Sequence, residues 1–184
     1  PHATSAARRA PTLGADTFAG WLAPAIFALY AAVELTAGLW AGTILVVGRG
    51  FTAELAATLT AAYYAAITGG RIGVGFVVER WGNRPLVAAG TGLALLGALL
   101  FAGTTSPAAS AIALVLFGLG LAPVYPCLMH EVPRRLAPEA APVVIGRQSG
   151  AASLGAAVLL AAAGALAQQS LATIPWVLVA SLMI

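Results

Sequence analysis

Charge is what this sequence has least of: 8% of its 184 residues are Asp, Glu, Lys or Arg. Domains that face water carry roughly 25%, so most of this surface is not made for water, and a soluble enzyme is excluded. Lysine is missing altogether. All nine basic residues are arginines, set against six acidic ones. The arginines stand singly or in pairs between apolar runs and form no basic face interleaved with aromatics, which excludes nucleic acid as a partner. Cys127 is the one cysteine, so no intramolecular disulfide can form and the redox compartment is unreadable. Constellations for catalysis are lacking too. His130-Glu131 has no second histidine at zinc-protease spacing, and Gly90-Thr91-Gly92 and Gly118-Leu119-Gly120 lack the third glycine of a dinucleotide fingerprint. No metal, no cofactor and no enzymatic activity are expected.

What is present is apolar length. Hydrophobic residues make up 60% of the chain, and a bilayer core of about 30 Å needs roughly 20 consecutive apolar residues per helical crossing. Successive runs predict spans over about 18–47, 53–78, 85–103, 108–129, 143–167 and 171–184. The last has only about 14 residues, short of a crossing, so the sixth span is expected to be truncated, with both chain ends cut. Residues 1–17, which include Arg8, Arg9, Pro11 and Asp16, read as a cytoplasmic linker. The fourth span is expected to break at Pro123 and Pro126. A polar hairpin from Glu79 to Arg84 and a loop from His130 to Pro142 separate the remaining runs.

Arginine placement orients the array. Arg8 and Arg9, Arg80 and Arg84, and Arg134 and Arg135 all fall on one side if every span crosses once, and only Arg49 falls on the other. That bias assigns the first segment, the hairpin and the 130–142 loop to the cytoplasm. Polar content then ranks the spans. The first, second, fourth and fifth contain Glu34, Arg71, Tyr125 and Gln148, whereas the third and sixth hold little more than Thr91, Thr173 and Ser181. Charged groups inside a membrane face protein or a water-filled cavity, so the third and sixth helices are expected at the lipid-facing periphery, in a three-plus-three pattern. Close helix contact is expected where Gly146 and Gly150, and Ser149 and Ser153, recur one turn apart.

The hairpin reads Gly75-Phe76-Val77-Val78-Glu79-Arg80-Trp81-Gly82-Asn83-Arg84. It resembles the G-x-x-x-[DE]-R-x-G-[RK]-[RK] signature of the major facilitator superfamily, with Asn83 in place of the first closing basic residue, as in that family's looser second copy. Glu34-x-x-x-Gly38-x-Trp40, Gly70-Arg71 and the stretch Gly118 to Pro126 are similar to the sugar-permease branch that contains fucose:proton symporters. Arg147 is a departure from that branch. The resemblance implies an all-α membrane protein, the C-terminal six-helix half of a major facilitator fold built as two inverted three-helix repeats. It also implies secondary active transport of a small solute, proton-coupled and of sugar type, by alternating access in a bacterial inner membrane. The partners would be the lipid bilayer, the small-molecule solute and a missing N-terminal six-helix half. In this reading Gly75, Glu79, Arg80, Gly82 and Arg84 form a cytoplasmic gate, Gly75 allowing close helix approach and Gly82 a turn of positive φ. The alternatives are a non-transporting scaffold, a degenerate half-transporter, or an exporter of drugs or metabolites.

Individual residues carry two readings each. Glu34, near the middle of its span, is either a proton-coupling or substrate-binding carboxylate or a structural charge paired with an arginine of another helix. Tyr30 shares its helical face. Arg71 lies on one face with Tyr64 and Thr60, and serves either the gate or the substrate. Tyr125 stands beside carbonyls freed by the prolines, which either line a cavity or mark only a bend. Gln148 contacts either solute or a neighbouring helix.

Overall fold

The computed structural model describes residues 14–184, and among them every regular element is helical. In chain order these are α1 (Phe18–Thr43), α2 (Ala53–Trp81), α3 (Asn83–Gly103), α4 (Pro107–Leu121), α5 (Val124–Arg135), α6 (Ala140–Ala167) and α7 (Thr173–Leu182), with a π-helical turn, Ile44–Gly48, prolonging α1. Most of the linker expected over 1–17, Arg8 and Arg9 included, lies outside the described residues. Five continuous stretches are long and apolar enough to cross a membrane: Gly20–Gly48, Ala53–Trp81, Asn83–Gly103, Pro107–Arg135 and Ala141–Ala167. The chain is therefore an integral membrane protein. With ten residues, about 15 Å of helix, α7 is too short to cross.

Helix starts follow local chemistry. Thr17, Thr52 and Ser106 each turn a side-chain oxygen to a backbone N–H three residues on, at 3.4, 3.3 and 3.1 Å, satisfying donors that have no partner within the helix. Pro107 opens α4, where its missing N–H costs nothing.

Three boundaries differ from those expected. The hairpin from Glu79 to Arg84 is almost wholly helical. α2 continues to Trp81, and one residue, Gly82 at φ 80°, turns the chain into α3. Only a residue tolerant of the left-handed region makes so short a corner. The fourth span breaks at Pro123, between α4 and α5, but not at Pro126, which sits in the first turn of α5, where no intrahelical N–H is needed. The segment from His130 is helical as far as Arg135. Glu131 pairs with Arg135 at 2.6 Å one turn away, and Arg134 and Arg135 occupy the last turn, where cations favour the helix dipole.

The helices pack through small residues. A Cβ on Gly97 would stand 2.8 Å from the Ala113 carbonyl and from the Phe117 Cα, and one on Gly120 would stand 2.6 Å from the Ala94 Cα, so α3 and α4 touch backbone to backbone. Gly118 meets Tyr63 of α2, and Gly155 of α6 meets Ala28 of α1. With little hydrophobic drive between helices in lipid, such contacts and their dispersion energy hold the bundle. The expected contact at Gly146 and Gly150 is not made among the described residues. Both are exposed with open space around them, while Ser149 and Ser153 bond carbonyls of their own helix. Spacing alone could not tell which small-residue face would meet a neighbour.

The core runs through Phe27, Tyr63, Phe101, Leu114, Phe117 and Ile174. α1 lies along α6, α4 along α3 and α2, and α7 against α3 and α1. On α3, Leu86, Gly90, Ala94, Gly97 and Phe101 are buried, whereas Leu96 and Leu99 point outward. The third span is thus peripheral on one face and packed on the other. α2 and α6 are the least buried of the spanning helices.

Candidate functional site

An ion pair sits deep in the bundle. Glu34 lies roughly 24 Å along α1 from Phe18, and Arg71 lies roughly 15 Å from the Trp81 end of α2. Their side chains meet with Arg71 Nη2 2.7 Å from Glu34 Oε2 and 3.0 Å from Oε1. The same nitrogen donates to the Tyr30 hydroxyl at 2.7 Å, and that hydroxyl donates to Glu34 Oε2. Tyr30 precedes Glu34 by four residues, so both project from one face of α1. The local geometry is therefore set by α1, and α2 brings the cation to it.

Aromatic rings wall the pair. The Arg71 guanidinium lies over the Tyr125 ring, 5.1 Å from its centre, and Tyr125 leans on Phe27 at 5.3 Å. Such a cation–π contact strengthens where water is scarce. Tyr125 is presented at the second residue of α5, immediately after the break at Pro123. The break thus brings an aromatic ring to the pair. Tyr63 donates its hydroxyl to the Glu34 carbonyl at 2.9 Å and is wholly buried. Its neighbour Tyr64 lies against Gly38, one turn beyond Glu34, where a Cβ would collide with the Tyr64 hydroxyl.

The site is half open. Glu34 is 15% exposed and Arg71 36%, and the Tyr64 and Tyr125 rings are open to a similar degree as Arg71. Arg71 spends only Nη2 on its partners. Nε is buried without an acceptor, and Nη1 carries no hydrogen bond among the described residues.

Of the residues singled out in the sequence, Tyr30, Glu34, Arg71 and Tyr125 come together, and Tyr64 borders them. Gln148 does not join them. It is wholly buried on α6, with neither amide atom hydrogen-bonded among the described residues, so no solute reaches it in this conformation. Phe27 and Tyr63 escaped the sequence reading. The spacing of Phe27, Tyr30 and Glu34, at i, i+3 and i+7, was the available signal for the first. Arg147, which had no assigned place, donates to Asp16 at 2.8 Å and to the Ala15 carbonyl at 2.6 Å and stacks on Trp21, tying α6 to the start of α1.

The residues expected to form a gate behave differently from that cluster. Glu79 and Arg80 are exposed, and neither they nor Arg84 form an ion pair among the described residues. Gly75, expected at a close helix contact, has open space where its Cβ would be. The hairpin is instead tied by Asn83, whose side-chain amide donates to Glu131 of α5 at 2.5 Å. Nearby, α1, α3 and α5 enclose a mostly apolar groove of about 350 Å³, with Arg84, Glu131 and Arg135 at its polar edge. At the opposite end, Arg49 caps the bundle by bonding Ser110 at 2.7 Å and the Phe101 carbonyl, with its guanidinium 4.1 Å above the Phe101 ring.

No family model matches the chain, and comparison with curated proteins and with solved structures finds no match.

Proposed function

We propose that the chain is half of a secondary transporter of the major facilitator type, moving a small solute by alternating access with Glu34 as the proton-coupling group. The observation that carries the reading is the half-open Glu34–Arg71 pair. A carboxylate and a guanidinium at mid-membrane depth are costly, and where they persist they mark ion or solute pathways. Protonating Glu34 removes the charge that Arg71 pairs with, so proton occupancy and the link between α1 and α2 change together.

Packing order supports the half-transporter part. α1 lies along α6 as α4 lies along α2, α3 packs on α4 as α7 packs on α1, and α3 and α7 meet each other. Exchanging the first three spans with the last three swaps the members of each of these two pairs of contacts and returns the α3–α7 contact to itself, an order that two inverted repeats would produce. The least-buried helices, α2 and α6, expose Ile72, Phe76, Leu154 and Val158, and a companion half seated there would complete the cavity around Glu34. The orientation with Arg80, Arg84, Arg134 and Arg135 in the cytoplasm follows from the arginine bias.

Uptake by the full-length protein in vesicles, across a panel of small metabolites with and without an imposed proton gradient, tests this. Accumulation that collapses with a protonophore is expected. Gradient-independent equilibration of every transported solute would contradict proton coupling.

A further inference from the structure

We infer that the solute is a small carboxylate anion and that Arg71 is its anchor, an inference that rests on the transporter reading above and names its substrate class. A guanidinium presents five N–H groups in a rigid fork. Here every observed bond leaves through Nη2, to Glu34 and Tyr30. Nη1 keeps both hydrogens without an acceptor among the described residues, and the side chain is one-third exposed. Nε–H is unpaired as well, but it is buried and points along another edge, out of a solute's reach. An arginine whose only role was to neutralise Glu34 would be expected to turn more of its fork toward that carboxylate.

The free Nη1 selects among solutes. A cationic solute is repelled by Arg71. A neutral polyol supplies hydroxyls, which need acceptors as much as donors. A carboxylate supplies two acceptor oxygens at the spacing of the Nη1–H and Nη2–H that share one edge of the guanidinium, Nη2 being released when Glu34 is protonated, and such bonds are charge-assisted. The Tyr125 ring, its centre 5.1 Å from the guanidinium, packs against the face of the fork and leaves the N–H groups in its plane free to bond.

Charge balance ties this to the proton. Glu34 and Arg71 together are neutral. A bound carboxylate adds one negative charge, and a proton taken from water onto a Glu34 oxygen adds one positive charge, so the loaded site is neutral again. The anion then replaces Glu34 as the partner of Arg71, and no bond within the solute changes.

The test is counterflow exchange in proteoliposomes containing the full-length protein, with labelled D-glucuronate, L-lactate and D-glucose as probes. Glucuronate and glucose share a ring and differ at the carboxylate. Exchange of one or both carboxylates without exchange of glucose is expected. Arg71→Lys, which keeps the charge but loses the fork, should weaken carboxylate affinity by about tenfold or more. Because Arg71→Lys could also loosen the bundle, the pair Glu34→Gln/Arg71→Gln, which leaves no unpaired charge, serves as the second variant. It should stay folded and lose carboxylate exchange. Exchange of glucose in preference to both carboxylates, or carboxylate exchange unchanged in the folded double variant, would overturn the anion assignment and leave the transporter reading standing. No exchange of any probe by folded protein, together with no accumulation across the metabolite panel, would overturn both.

Discussion

Arg71 reaches Glu34 from 37 residues away and binds it through a single nitrogen, with Nη2 2.7 Å from Oε2. The contact joins α1 to α2 at a depth where a lone charge would be expensive. Its consequences divide into those for folding and those for transport.

The first concerns stability. Arg71→Gln leaves Glu34 without its cation, and Arg71 is itself one-third exposed, so the loss should be moderate, about 2 kcal/mol. Glu34→Gln/Arg71→Gln should recover most of it, because two neutral amides carry no unpaired charge. Thermal unfolding of the purified variants in detergent checks both. A double variant no more stable than Arg71→Gln would mean that the pair does not govern stability.

Packing between α3 and α4 yields a second expectation. A side chain on Gly97 must displace the backbone of Phe117 and Ala113, so Gly97→Val should cost about 1–3 kcal/mol by overpacking. Gly92→Ala, five residues away on the exposed face with nothing within 4 Å of its Cβ, should change stability by about 0.5 kcal/mol or less. Equal effects of the two changes would argue against the α3–α4 contact.

The corner at Gly82 separates structure from gating. Gly82→Val places a branched residue at φ 80°, a strain of about 1–3 kcal/mol. Glu79 is exposed and forms no ion pair among the described residues, so Glu79→Gln should leave thermal stability unchanged. If Glu79 pairs in another conformation, the same change should slow turnover while solute affinity holds. Initial-rate and equilibrium-binding measurements on Glu79→Gln distinguish the two, and a fall in affinity at constant turnover would speak against a gate.

Much of the helical order was legible in the sequence because apolar length and arginine placement are cumulative signals. The limits of α1, α2 and α3 fell within a few residues of the apolar runs. What was illegible depended on single residues or on three dimensions. Polar side chains between Glu79 and Arg84 suggested a loop, but one glycine at positive φ makes the turn and the rest stay helical. Pro126 looked like a second break and is harmless in a first turn. Gly146 and Gly150 have the same spacing as a packing motif, yet the glycines that pack, Gly97, Gly118, Gly120 and Gly155, lie opposite backbone that only the fold brings near. At the site, Glu34 and an arginine partner were both readable, whereas the choice of Arg71 over Arg147 was not. Arg147 is spent on Asp16, far along α1 from Glu34.

The most direct test of the central claim is proton-driven accumulation measured beside exchange in Glu34→Gln. Glutamine keeps the side chain's size and an acceptor oxygen for Arg71 and Tyr30, but it cannot carry the proton. Accumulation driven by a proton gradient should disappear, while exchange of solute across the membrane, which needs no net proton movement, should persist in protein that stays folded with a moderate loss of thermal stability, since Arg71 keeps an amide acceptor but loses its charged partner. Gradient-driven accumulation at the wild-type level by Glu34→Gln would contradict the account.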